Sequence, residues 1–136
     1  MANGIEEAYV SFETAKFLKE KGFREICNHY YNAQYNQIRT VSDTFMMDWN
    51  DEDYMRSITM PNAISIPTQQ MAIRWLREKH KLHCSVVLKD VTEDTYVYSI
   101  ADLGDDRHWI RGEYLEYPSY EEACESAIKY CLENLI

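Results

Sequence analysis

Apolar and polar positions along this chain change period several times, and each change marks an element. Between Pro67 and Lys89 the segment PTQQMAIRWLREKHKLHCSVVLK passes from a helical to a strand repeat. Stepping about 100° per residue gathers Met71, Ala72, Trp75 and Leu76 on one arc and sets Arg74, Arg77, Glu78 and Lys81 opposite. Thr68 is placed to cap the first turn, and Pro67 discourages helix any earlier. From Leu82 the pattern alternates: Leu82, Cys84, Val86 and Leu88 point one way, His83, Ser85, Val87 and Lys89 the other. A capped amphipathic helix running into a strand is predicted, and the rest of the chain is arranged around it.

The same reading assigns the remaining elements. Tyr9-Val10 suits a short strand, and Ser11 caps a helix over 12–21 whose apolar side is Thr14, Ala15, Phe17 and Leu18, with Glu13, Lys16, Lys19 and Glu20 in water; Gly22 ends it. The Tyr-rich stretch 24–41 predicts a hairpin turning at Asn32-Ala33-Gln34, whose Tyr30, Tyr31 and Tyr35 suit either a half-exposed sheet face or a stacking surface. Residues 40–66 read as an irregular insertion. Within it Asn50 caps a short helix over 51–58, with acids in its first turn and Trp49 and Tyr54 as a hydrophobic staple. Strands follow over 96–102 and about 108–117, the latter interrupted by Gly112, which predicts a bulge. Ser119 and Glu122 form a capping box for a last helix over 120–134. Its inner face is Ala123, Cys124, Ala127, Ile128, Tyr130, Cys131, Leu132 and Leu135. The fold class is α+β: one domain over 1–136, with a helix-strand-strand-strand-helix core at 68–134, an antiparallel sheet covered by helices on one face, and an N-terminal helix and hairpin. The expected core is Phe17, Leu18, Trp75, Leu76, Cys84, Val86, Ile128, Cys131 and Leu132.

Composition narrows the partners. The 136 residues are 46% apolar and contain 18 aromatic side chains, enough to bury a core without staples. A net charge of −9 works against nucleic acid and anionic membranes. No run reaches the roughly 18 apolar residues of a membrane span. The opening MANGIEEAY has neither a basic region nor an apolar run, so no export signal is expected. Cys27, Cys84, Cys124 and Cys131 include no CxxC pair and are expected as reduced, packed thiols, which points to a cytoplasmic setting.

Three stretches, YVSFETAKFLKEKGF, PTQQMAIRWLREKH and YPSYEEACESAIKYCLENLI, resemble a family of small uncharacterised proteins of bacteriophages and integrated mobile elements of gut bacteria. The resemblance implies a compact α+β accessory protein and transfers no catalytic residue. The element order over 68–134 is also similar to that of double-stranded-RNA-binding domains. Those domains carry a lysine cluster at the start of the second helix, where this chain has Glu121, Glu122 and Glu125, so the likeness is architectural.

No GxSxG, GxxxxGK[ST] or GxGxxG motif is present, so no catalytic or cofactor-binding residue is assigned. Asp48-Trp49-Asn50-Asp51-Glu52-Asp53 begins like a calcium loop but has Asp53 in place of the glycine and Thr59 in place of the closing glutamate. His80, His83 and Cys84 lack a fourth ligand at a recognised spacing, and no metal site is assigned. Two candidate surfaces remain. Met46, Met47, Trp49, Tyr54 and Met55 have the composition of an adaptable interface and equally of core filler, to be buried against the domain or a partner; Arg74, Arg77 and Lys81 form a basic patch that suits an acidic partner or a solvated helix face paired with the chain's own acids. The expected function is a non-catalytic protein-interaction module, through a protein partner or self-association. An acidic decoy of a host DNA-binding protein and a small hydrolase or metal-dependent enzyme are the alternatives.

Overall fold

In the computed structural model, which describes residues 4–111 and 115–136, Thr68 caps helix α3 (Gln69–His80) by accepting the Met71 N–H. The helix ends at Lys81, whose left-handed backbone (φ 58°) turns the chain into strand β4 (Leu82–Asp90). The helix-strand-strand-strand-helix order then unfolds as expected. Strands β5 (Thr95–Asp102) and β6 (His108–Arg111) complete an antiparallel sheet of order β4-β5-β6, and helix α4 (Tyr120–Asn134) follows, capped by Ser119. The chain divides into two compact units by its contacts, and this sheet lies in the one that holds Thr68–Ile136 together with the residues before Tyr9.

The core of that unit forms because α3 and α4 each bury a single stripe. Ala72, Trp75 and Leu76 from α3 and Cys124, Ile128, Cys131 and Leu132 from α4 are buried with Leu82, Cys84, Tyr98 and Ile100 of the sheet. The Cys84 and Cys131 sulfurs stand 3.6 Å apart, which fixes the face of β4 that α4 covers. Buried Gln69 carries a polar tie between the helices: its Nε2 donates to the Glu121 carbonyl at 3.0 Å. Of the strand expected over about 108–117, the described residues show His108–Arg111 as β6 and Tyr117 bridged to Tyr96 of β5. The bulge expected at Gly112 lies outside the described residues; the β5–β6 ladder itself shifts register between Ile100 and Ala101.

The second unit, Tyr9–Pro67, has its own sheet. Ser11 caps helix α1 (Phe12–Glu20), and Gly22 at φ 91° follows the helix end. Strands β1 (His29–Asn32) and β2 (Gln37–Thr40) form the expected hairpin, and β3 (Ile64–Ser65) pairs with the other side of β1, giving the order β2-β1-β3. The hairpin expected in addition to the 68–134 sheet thus belongs to a three-stranded sheet of its own. Leu18 is buried in this unit, and Phe17 in the same unit is only half-buried.

Residues 40–66 are not an insertion. They carry a 3-10 turn (Asp43–Phe45), helix α2 (Glu52–Ser57) and β3, and they close the unit's core with Trp49, Met55, Ala63 and Ile66. The cap of α2 is Asp51, which accepts the Tyr54 N–H at 3.2 Å. Asn50 has a deeper task. Its Nδ2 donates to the Phe23 carbonyl at 2.8 Å, and its Oδ1 accepts the Ser65 N–H at 2.9 Å. The expected Trp49–Tyr54 staple does not form, because Trp49 stacks on Tyr30 at 3.8 Å between ring centroids while Tyr54 stays 50% exposed. Lys19, expected in water, is half-buried, and its ammonium bonds the Glu52 carboxylate and the Ala63 carbonyl.

Candidate interaction surfaces

The apolar segment singled out in the sequence is divided by the structure. Trp49 and Met55 are 3% and 0% exposed and belong to the core, Met46 and Met47 are half-buried, and Tyr54 alone is open. Trp49 is held by three contacts: its ring N–H donates to the Cys27 carbonyl at 2.8 Å, its backbone N–H to Ser65 Oγ at 3.0 Å, and its ring covers Tyr30. Side chains tied in this way cannot serve as an interface. The composition left both readings open, since Met and Trp suit a core and an adaptable surface equally.

Of the three residues expected as a basic patch, Arg74 pairs with Glu78 one turn on, Arg77 is half-buried, and Lys81 is exposed just past the helix end near exposed Lys79. The acids of the calcium-like stretch are likewise engaged in local structure: Asp48 accepts from Arg24 and from the Asn50 N–H, and Asp51 caps α2. His80 lies edge-on to Trp75 at 4.7 Å, Cys84 faces Cys131, and His83 projects from the opposite side of β4. Among the described residues no three His, Cys, Asp or Glu side chains are grouped to hold a metal ion. The thiols are poor nucleophiles, for burial pushes Cys27 up to about 12 and Cys124 up to about 11.

The surface that the sequence did not single out is the far end of the β4–β5 hairpin. β4 and β5 pair from Leu82–Asp102 to Asp90–Thr95. Along the helix-covered face, Leu82 and Cys84 are buried, Val86 is half-buried and Leu88 is 46% exposed. The alternation that predicted four inward residues therefore holds for two, because the ladder runs on past the helical cover. Val87 on the other face is 45% exposed, and Val91 at the tip 83%. The end of the hairpin thus presents aliphatic side chains on both faces.

Its outer edge is also open. The Leu103 N–H donates to the Lys81 carbonyl, in register with the ladder that pairs Leu82 with Asp102. Antiparallel pairing then turns the backbone groups of His83, Ser85 and Val87 toward β5 and those of Val86 and Leu88 outward. Among the described residues no strand pairs there. A register shift between Leu88 and Asp90, with Lys89 beside it, limits the open ladder to this short stretch, in the way natural sheets blunt their edges. Asp90 then organises the tip, its carboxylate accepting from the Thr92 N–H at 2.8 Å and the Thr92 hydroxyl at 2.6 Å.

The Tyr9–Pro67 unit presents two further surface features. Strand β2 is exposed along its whole length. A shallow groove of about 540 Å³ is lined by Ala33, Gln34, Arg56, Thr59, Pro61 and Asn62. No helix among the described residues is long and apolar enough to cross a membrane. No family model, curated protein or solved structure matches the chain.

Proposed function

We propose that the protein is a non-catalytic protein-interaction module, an accessory protein of the kind its resemblance to phage and mobile-element proteins implies, and that the outer end of the β4–β5 hairpin is its docking element. The observation that carries this reading is the combination at one place of exposed Val87, Leu88 and Val91 with the outward backbone groups of Val86 and Leu88. A partner strand laid along this edge gains main-chain hydrogen bonds and covers aliphatic side chains on alternate faces, which is how strand addition obtains both affinity and selectivity. The acids Asp90, Glu93 and Asp94 at the tip keep the free protein soluble without standing on the apolar positions. The test uses the protein as bait and compares it with a Val87→Ser, Leu88→Ser variant, with captured proteins identified by mass. A partner retained by the parent and lost by the variant, measured well below the melting temperature of a variant that still folds, supports the proposal. A partner held equally by both overturns the docking site.

A further inference from the structure

Strand β2 offers a second edge, on different residues and with a different charge. The Val41 N–H donates to the Asn28 carbonyl at 2.7 Å, and the Ile66 N–H to the His29 carbonyl at 2.9 Å. With the register Tyr30–Arg39 and Tyr31–Ile38, these bonds turn the backbones of Gln37 and Arg39 toward β1 and leave those of Ile38 and Thr40 pointing away from the sheet. All four residues of the strand are exposed; Ile38 is 52% and nearby Tyr35 60% exposed. Residues 26–42 contain no Asp or Glu, although the chain has 23, and Arg39 is the only Lys or Arg among them. Its guanidinium lies over the Tyr35 ring at 5.7 Å and donates to Gln37 at 2.8 Å, so it stands along the strand rather than bridging to an acid.

The charge selects the occupant. If a second copy paired antiparallel through the outward groups, Arg39 would face Arg39 with Ile38 opposite Thr40, or Gln37 with Ile38 opposite Ile38; the first opposes like charges and neither supplies an acid. We propose that β2 binds an extended segment of another protein that places an acidic residue opposite Arg39 and an aliphatic residue beside Ile38. The two side chains fall on opposite faces of the added strand, so the recognised pattern is aliphatic-acidic-aliphatic with period 2. The site is independent of the β4–β5 hairpin and survives if that reading fails.

A capped peptide Thr-Val-Glu-Val-Thr, the same peptide with lysine at its centre, and an N-methylated form that cannot pair serve as probes, with amide shifts and exchange followed by NMR. The glutamate peptide should perturb residues 35–41 and slow exchange at Ile38 and Thr40. It should bind about fivefold more tightly than the lysine peptide, the range open to one cross-strand charge pair. Arg39→Glu, a change at an exposed site, should reverse that preference. The proposal is overturned by equal binding of both charged peptides, by binding of the N-methylated form, by shifts confined to other residues, or by no binding at millimolar peptide. Protection of Ile38 and Thr40 that grows with protein concentration alone would assign the edge to a second copy instead.

Discussion

At the scale of single residues, Asn50 is a polar side chain on which two backbone groups depend. It is 5% exposed and satisfies both a carbonyl of the loop after α1 and an N–H of β3. Asn50→Ala leaves both backbone groups unpaired and is expected to cost about 2–4 kcal/mol, read as a lower urea midpoint at unchanged slope. Thr59 predicts the opposite sign. It follows the end of α2 at φ 60°, where the Thr59 N–H reaches the Arg56 carbonyl and the Met60 N–H the Met55 carbonyl, an arrangement in which glycine is the unstrained choice. Thr59→Gly should raise stability by about 1 kcal/mol, since a β-branched side chain bears that strain. Glu52 gives a pH dependence. The Lys19 hydrogen bond holds its carboxyl below the usual 4.5, so the pair stabilises the fold above that value and the contribution is lost as pH falls through the depressed one. Glu52→Gln should lower stability at neutral pH by a partly screened amount, about 1 kcal/mol or less, and flatten the loss of stability as pH falls below 4.5. None of these roles was legible in the sequence except as capping chemistry. Asn50 reads as a helix start because a capping Asn and a buried tie use the same amide, and only the approach of Phe23 and Ser65 separates them.

Elements were more legible than their partners. Four capped or glycine-terminated helices follow from Ser11, Gly22, Thr68 and Ser119 and from the acids at 51–53, because caps are local and their geometry is spelled by neighbouring residues. The reach of a buried face is not local. The alternation from Leu82 to Leu88 is unbroken, yet burial stops near Val86, since what covers a strand depends on where the helices end. The last turn of that ladder should therefore bear mutation. Val87→Ser and Leu88→Ser are each expected to cost about 1 kcal/mol, against about 2–5 kcal/mol for Leu76→Ala at a site with no exposure. Thermal melts of the three variants side by side would test this, and an equal loss at Leu88 and Leu76 would return the arm to the core.

At the scale of the whole molecule, pattern reading named the α+β class and the order of elements but left the N-terminal hairpin without its third strand. Strand β3 is only two residues long, too short to carry a period, and its absence from the reading turned residues 40–66 into an insertion and left Trp49 and Met55 between core and interface. Charge is also unevenly shared. Tyr9–Pro67 has six Lys and Arg against eight acids, and the remainder has eight against fifteen. The docking edge proposed on β4 lies in the more acidic part, where encounter with a basic partner is favoured and salt should slow it. The most direct measurement is the amide-exchange footprint of the protein with the partner it captures. Docking along β4 predicts slowed exchange at Val86 and Leu88, whose N–H groups face outward, with Ser85 and Val87 little changed because β5 already holds them. A footprint that leaves Val86 and Leu88 untouched and falls on Arg74 and Arg77, or on Tyr54 and Met46, would contradict it.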